Sequence, residues 1–427
     1  MSSTKSKYLK TTMKNTKILV AQLGARKHYQ EPLLFHHWGI LDRLYTDFYS
    51  GHSSVTKLLQ HPKIYNYLPN IIKKSLDRYE PQLKNATIIH FPLFAYQYLQ
   101  ALKKASSDKT SEIFIWSGQE FCQQIIKYGL GNANVIYGFN SACLELFEYA
   151  KSQGIYCILD QTLADYSLVY QLLTEEDKIW TEWSLTPFTV NQGDLKLMER
   201  EHQEQDLADH IICGSNFVKD SLITRGVDAQ KVSVVPLGRL KDNITYSDPP
   251  IIQTPLIRGD GLRILFVGSV NLRKGIPYLL EALRQIKGQI PFTCKIVGSL
   301  EIKPERLAEY RDVCDFIGRI PRSQIKDLYT WADVLVLPSL CEGSAMVTYE
   351  ALSLGVPIIT TYHSGSIVRD GQDGFIIPIR NSKAIGDKLI TSYQKRCYCQ
   401  ETTKTQDYLK FVSQDSESKL RQLLTLT

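Results

Sequence analysis

Two glutamates, Glu342 and Glu350, stand eight residues apart in the stretch PSLCEGSAMVTYEALSLGVPIITT, Pro338 to Thr361. At helical rise that spacing is roughly 12 Å, about the span from a ribose across a diphosphate to a sugar. Between them, Gly343, Ser344, Ala345 and Met346 lie where a loop opens onto a helix, and free backbone N–H groups there favour an anion. Upstream, Gly268-Ser269-Val270-Asn271-Leu272-Arg273-Lys274-Gly275 sets two cations between glycines, so backbone and side chains can both approach a diphosphate. It is not a P-loop, because the Walker spacing and its Ser/Thr are missing. Nearer the N-terminus, Gly24-Ala25-Arg26-Lys27-His28-Tyr29 packs a glycine, two cations and a histidine into one loop. The chemistry these groups permit is departure of a diphosphate from a sugar. Lys274, Arg273 and the N–H groups from Gly343 to Met346 would compensate the developing charge. Glu350 would accept hydrogen bonds from ribose hydroxyls, and Glu342 would touch the donor sugar or hold the phosphate loop. Two acids at this spacing also suit one loop acid and one solvated helix acid. Glu350, however, interrupts the run Tyr349-Ala351-Leu352.

The elements that must hold these residues read as repeated strand and helix. Val334 to Leu337 is an apolar run stopped by Pro338, which reads as a buried strand. A helix from Ala345 to Leu354 comes next, ended by Gly355 and Pro357, and then a strand from Val356 to Thr360. Further strands are expected at Lys17–Ala21, Thr87–Phe91, Glu112–Trp116, Val135–Tyr137, Tyr156–Asp160, His210–Ser215, Val232–Gly238, Arg263–Gly268, Cys294–Gly298, Asp315–Gly318 and Phe375–Pro378. Helices are expected over Ser141–Ser152, from Asn216 through Ile223 with Ser215 or Asn216 as cap, from Pro277, and to Trp331 with Ser323 as cap. The alternation implies mostly parallel, doubly wound sheets. In such sheets ligands bind at the carboxyl ends of strands, so the Gly24 loop should face a cleft.

At 427 residues the chain suits two domains. We divide it into a polar tail (1–15), a first domain (16–245), a linker (246–262), a second domain (263–395) and terminal helices (396–427). The nine cysteines, without a C-x-x-C, argue for a reducing compartment and against a disulfide or zinc framework. No apolar stretch is long enough for a transmembrane helix, and the N-terminus lacks a signal-peptide core. Lys5, Lys7, Lys10 and Lys14 supply four charges of a net +6, so the body is close to neutral and nucleic-acid binding is not expected. The piece Ile64 to Lys74 mixes aromatics, aliphatics and lysines, and reads as a core helix with a lysine edge or as an amphipathic helix on a membrane surface.

Glu342-Gly343, Glu350-Ala351 and Gly355-x-Pro357 together resemble the E-x7-E block of the retaining glycosyltransferases of family 4, also called group 1. Glu199, Arg200, Glu201, Leu207, Ala208, Asp209, Ser215, Phe217 and Val218 match a second family run. His363-Ser364-Gly365 and Asp370 to Gly374 match a third. The resemblance implies the α/β GT-B fold, two doubly wound Rossmann-like domains facing a central cleft, with the terminal helices crossing back onto the first. It implies donor contacts at Gly268, Ser269, Gly298, Arg319, Ile320, Gly343, Ser344, Ala345, Met346 and Glu350, with the base held after the Gly318-Arg319-Ile320-Pro321 turn. Catalytic roles fall on Lys274, Arg273, Glu342 and His28, and acceptor or cleft roles on Gly24, Arg26, His28 and Tyr29, in a loop similar to a bacterial GARxHY segment. Two departures stand out. Ser269 occupies a position where family members usually carry arginine, and Asp160-Gln161-Thr162 lacks the cleft histidine many members have.

The resemblance implies transfer from a UDP- or GDP-sugar to a lipid-linked or oligosaccharide acceptor, with retention, in polysaccharide or glycoconjugate assembly. The expected setting is the cytoplasm or the cytoplasmic face of a membrane. No cofactor is called for. With no Asp-x-Asp in the chain, no metal is called for either, and cations would neutralise the diphosphate. A GT-B epimerase acting on sugar nucleotides and an inactive sugar-nucleotide-binding module are the alternatives. A nicotinamide dehydrogenase does not fit, because no Gly-x-Gly-x-x-Gly comes after either sheet's first strand.

Overall fold

The computed structural model describes residues 15–51, 64, 67, 76, 78–236, 261–395 and 402–425. Most of the Ile64 to Lys74 piece, the tail to Lys14 and nearly all of the 246–262 linker therefore lie outside the described residues. Within the first half, the strands are β1 (Ile18–Gln22), β2 (Leu41–Thr46), β3 (Ile88–His90), β4 (Val135–Phe139), β5 (Tyr156–Gln161), β6 (His210–Cys213) and β7 (Val232–Val234). They form one parallel sheet in the order β3-β2-β1-β4-β5-β6-β7. The second sheet joins β8 (Leu262–Val267), β9 (Phe292–Val297), β10 (Asp315–Gly318), β11 (Val334–Leu337), β12 (Ile358–Thr361) and β13 (Gly374–Ile377). Its order is β10-β9-β8-β11-β12-β13, again all parallel. Strands such as β1, β4 and β11 are buried at every residue, as a sheet covered by helices on both faces requires. Each sheet reverses its winding once, between β1 and β4 and between β8 and β11, and these are the crevices where open α/β sheets take ligands.

Helices cover both sheets: α1 (Gln30–His37), α2 (Pro92–Lys104), α3 (Thr110–Tyr128), α4 (Leu144–Ser152), α5 (Tyr166–Ile179), α6 (Gln192–Leu207) and α7 (Asn216–Arg225) in the first half. The second half adds α8 (Ile276–Ile286), α9 (Pro304–Ala308), α10 (Arg322–Trp331), α11 (Met346–Ser353), α12 (Ser382–Lys395) and α13 (Thr402–Thr425). Among the described residues no helix is long and apolar enough to cross a membrane.

Two sequence expectations need correction. Glu112 to Trp116 is not a strand but part of α3. The buried positions of that helix, Ser111, Ser117, Gly118, Phe121, Cys122 and Ile125, recur at helical spacing, whereas the apolar run itself is only partly covered. A short apolar run does not identify its own period. Ser323 does not precede α10, which already begins at Arg322 after Pro321. Ser215 does cap α7, its Oγ accepting from the Val218 N–H at 3.4 Å.

Two segments tie the halves together. Helix α13 sets its Tyr408 hydroxyl on the Ile367 carbonyl of the second half, then buries Leu420, Leu423 and Leu424 among Ile18, Val20 and Phe35 of the first. The segment after α5 runs the other way. Trp183 is buried in the second half's core beside Tyr278 and Tyr310, Ser184 bridges Ile302, and the Lys303 N–H donates to the Trp183 carbonyl at 2.7 Å. Nothing in the local sequence around Trp183 announces that crossing.

Candidate active site between the two switch points

On the second domain, the loop after β8 is shaped by Asn271, whose Oδ1 accepts from the Lys274 N–H and closes a 3-10 turn over Leu272–Lys274. Gly275 ends it with φ +67°, and a Cβ there would come within 2.0 Å of the Pro338 carbonyl oxygen. Only glycine lets this loop lie against the end of β11. The Leu340 N–H donates to the Arg273 carbonyl at 2.8 Å, so the two loops flanking the switch point are bound to each other. Lys274 Nζ then reaches Glu342 Oε1 at 2.5 Å, and Arg273 Nη1 reaches the same oxygen at 2.8 Å and the Cys341 carbonyl at 3.1 Å. Residues 69 positions apart in sequence thus meet on one carboxylate.

Helix α11 starts at Met346 without a side-chain cap. The Ala345 N–H is used by the Ser364 carbonyl, and Ser344 Oγ bonds the Tyr349 hydroxyl at 3.0 Å. Four residues into the helix, Glu350 is held in place: it accepts from the Tyr329 hydroxyl at 2.9 Å and from Arg322 Nη2 at 3.4 Å. Burial, with Glu350 beside it, pushes the Tyr329 phenol well above its ordinary pKa, so it remains a donor. This is not a solvated helix acid. Gly268 comes directly after β8 and Gly298 directly after β9. Ser299 Oγ bonds both Ser269 Oγ at 3.0 Å and Glu301 Oε1 at 2.8 Å. Ser269 is therefore tied into a hydroxyl–carboxylate chain where family members usually carry a cation. Arg319 is exposed beyond β10, and Ile320 packs beneath it against the core that includes Val267 and Val297.

The first domain presents a different surface. Lys27, His28 and Tyr29 all have positive φ, +45°, +52° and +63°, an unusual run for residues with side chains. Buried charge holds it. Lys27 Nζ lies 2.5 Å from Asp160 Oδ2 and 3.0 Å from Glu31 Oε1. Burial would lower the Lys27 pKa, but these two acids outweigh it and raise it. The turn exposes His28, whose Nε2 lies 3.2 Å from Arg322 Nη1 of the second domain. A chain of contacts therefore crosses the cleft, His28 to Arg322 to Glu350. Gly24 is fixed by Asp47 Oδ1, which accepts its N–H at 2.9 Å. Tyr29 departs from expectation: its ring is buried in the core against Tyr49, because the left-handed turn that turns His28 outward turns Tyr29 inward.

Several further site residues come from segments far apart in the chain. Asn140, at the carboxyl end of β4, accepts from the Thr162 N–H and hydroxyl at 3.2 and 2.7 Å and donates to Glu201 Oε2 at 2.7 Å. Glu204 accepts from the N–H groups of Ser141, Cys143 and Leu144, so it caps α4 from α6. Burial raises both acids, Glu201 to about 8 and Glu204 to about 7. A subtler signal is present in the sequence. Leu197, Arg200, Glu201, Glu204 and Gln205 fall at the inward positions of α6, and charged residues at core spacing mark a buried polar face. Thr162, in the segment without a histidine, touches the opposite domain: a Cβ on Gly343 would lie 1.8 Å from the Thr162 carbonyl oxygen. Ser215 Oγ donates to the Gly343 carbonyl at 2.6 Å, and His363, stacked on Phe217 at 4.4 Å, bonds the Leu340 carbonyl through Nδ1. The Gly343 turn and the first domain's switch-point residues thus share one interface.

Comparison with known proteins places a known domain over the second half of the chain. Residues 248–407 match the family described as Glycosyl transferases group 1, a span that includes Lys274, Glu342 and Glu350. WcaL of Salmonella typhimurium, by name a putative colanic acid biosynthesis glycosyltransferase, is 28% identical over 182 residues, covering 39% of this chain and 43% of that protein. The amylovoran biosynthesis glycosyltransferase AmsK of Erwinia amylovora is 26% identical over 190 residues, covering 41% of this chain and 45% of its own. The chain spans less than half the length of these curated relatives. Among solved structures, sucrose-phosphate synthase from Thermosynechococcus elongatus superposes with a TM-score of 0.61 at 16% identity, over 96% of this chain and 100% of that one. HepE from Anabaena, in complex with UDP, superposes with a TM-score of 0.56 at 16% identity, over the same shares. The fold is the GT-B arrangement of two Rossmann-like domains.

Proposed function

With a group 1 glycosyl transferase domain in its second half as premise, we propose that the protein transfers a sugar, which we take to be a hexose, from a UDP- or GDP-sugar to a lipid-linked or oligosaccharide acceptor in polysaccharide or glycoconjugate assembly. We assign the reaction to the cytoplasm, beside a membrane. One observation carries this reading: Lys274 and Arg273 converge on Glu342 beside the Gly343 turn, directly against the first domain. HepE, solved with UDP and with UDP-glucose, shares the fold and supports a nucleotide-sugar donor.

In the reaction, the bond from the anomeric carbon to the diphosphate breaks and a bond from that carbon to an acceptor hydroxyl oxygen forms. The hydroxyl proton leaves with the diphosphate. Charge accumulates on the departing phosphate, where Lys274, Arg273 and the N–H groups at the start of α11 act as fixed donors. Glu342 holds both cations in position before the donor arrives. Glu350, oriented by Tyr329, receives the ribose hydroxyls. We propose retention of anomeric configuration, with the acceptor approaching on the face the diphosphate leaves, and neutralisation of the diphosphate by these cations without a metal ion.

Lys274→Ala should lower sugar transfer by about 10²–10³-fold, the usual loss on removing one charge-stabilising donor, while thermal unfolding stays near that of the native chain. Near-native turnover in this variant, measured as product formed from the sugar nucleotide that most raises the melting temperature, overturns the assignment. Turnover should also persist in EDTA, and strict loss on chelation refutes the metal-independent step.

A further inference from the structure

Among the described residues, several fixed cations around the two switch points and the domain interface are paired with acids already. Lys27 has Asp160 and Glu31, Arg273 and Lys274 have Glu342, Arg322 has Glu350, and Arg380 has Glu175 and Glu176. Arg26 is different. It sits at the β1/β4 switch point, half-buried, and among the described residues its partners are neutral oxygens throughout. Nε donates to the Leu23 carbonyl at 3.3 Å, Nη1 to Asn140 Oδ1 at 3.5 Å and Thr162 Oγ1 at 3.3 Å, and Nη2 to the Asn140 carbonyl at 3.5 Å. All four lie beyond the usual N–H···O range of about 2.7–3.2 Å. They orient the guanidinium without satisfying it. Its Cζ lies over the Phe139 ring, 5.6 Å from the centroid.

The surroundings that hold Arg26 are themselves fixed. Asn140 is held on its other side by buried Glu201, and Thr162 is held by Asn140. Thr162 is also the residue whose carbonyl meets the Gly343 turn. A partly desolvated arginine without a carboxylate is costly to maintain, and a planar fork suits bidentate recognition of phosphate or carboxylate. On the glycosyl-transfer reading given above, the donor's diphosphate belongs to Lys274 and Arg273, which leaves Arg26 for the other substrate. We infer that Arg26 receives an anionic group, phosphate or carboxylate, carried by the acceptor, so that the enzyme selects charged acceptors over neutral ones.

The test uses the full chain saturated with UDP and titrates glucose 6-phosphate against glucose, read by thermal shift and calorimetry. The phosphosugar should bind on the order of tenfold more tightly, as one charge-assisted bidentate contact implies. Arg26→Gln should lose that preference and Arg26→Lys should keep part of it. Equal binding of the two sugars by the native chain overturns the inference without relying on any variant. Retention of the full preference in Arg26→Gln also overturns it. A loss of UDP affinity in Arg26→Gln comparable to that in Lys274→Ala would assign Arg26 to the donor phosphate instead, and overturn it as well. If UDP, GDP and ADP all leave the native chain unshifted, the donor reading fails by itself and removes the premise of this inference.

Discussion

The two faces of the cleft do related work with opposite construction. On the second domain, the charged groups sit on two loops that touch each other, and their mutual pairing is partly open to solvent: side-chain exposure is 30% for Arg273, 11% for Lys274 and 13% for Glu342. On the first domain, the cleft residues Arg26 and His28 are aimed from below. They depend on acids with almost no exposure, Asp160, Glu201 and Glu204, contributed by β5 and α6. The comparison teaches that one face can lose a charge and keep its shape, whereas the other cannot.

Glu204→Ala should break this contrast most visibly. It leaves the N–H groups of Ser141, Cys143 and Leu144 without their acceptor, while Arg200 keeps Glu145, at a cost of about 1–3 kcal/mol for each orphaned donor, measured by urea unfolding. Gly343→Ala comes next, at about 1–3 kcal/mol for overpacking against Thr162, with donor turnover reduced in parallel because the domains no longer meet at that turn. Glu342→Ala should change stability by only about 1 kcal/mol, as partly exposed pairs do, yet alter affinity for the sugar nucleotide. A large loss of stability there would erase the distinction between the faces.

The finest discrimination lies in pH. Glu201 has its carboxyl raised by burial to about 8 in the folded chain, so between its ordinary value near 4.5 and 8 the folded state holds more protons than the unfolded one. Stability from this group is present below the ordinary value and is lost as pH rises toward 8. Glu201→Gln should flatten the fall in melting temperature between pH 5 and 8. An unchanged slope shows that Glu201 is not the group that titrates.

The difference between the faces also explains how well each can be read. On the second domain, a glycine-bounded loop and a helix-opening loop are each contiguous, and Lys274, Glu342 and Glu350 are legible as candidates from their spacing. On the first, the operative residues come from four separated segments; Glu201 falls in a run that resembles the family, but Asn140, Thr162 and Glu204 carry no local motif. Tyr29 defeats a sequence reading because a positive-φ turn reverses the facing of successive side chains, and φ is not written in the residue names. Glu112 to Trp116 defeats it because the apolar run is shorter than the helix it belongs to.

The sequence by itself determined the alternation of strand and helix, the location of both loops on the second domain, and the absence of a dinucleotide fingerprint, since each depends on residues close together in the chain. Only the tertiary structure decided that Lys274 and Arg273 share one carboxylate, that Trp183 anchors in the opposite domain, and that Arg26 has no acid beside it among the described residues. Those facts depend on which segments the two sheets bring to their switch points. Strand order, fixed by long-range packing of buried apolar faces, sets that arrangement, and no short window of residues contains it.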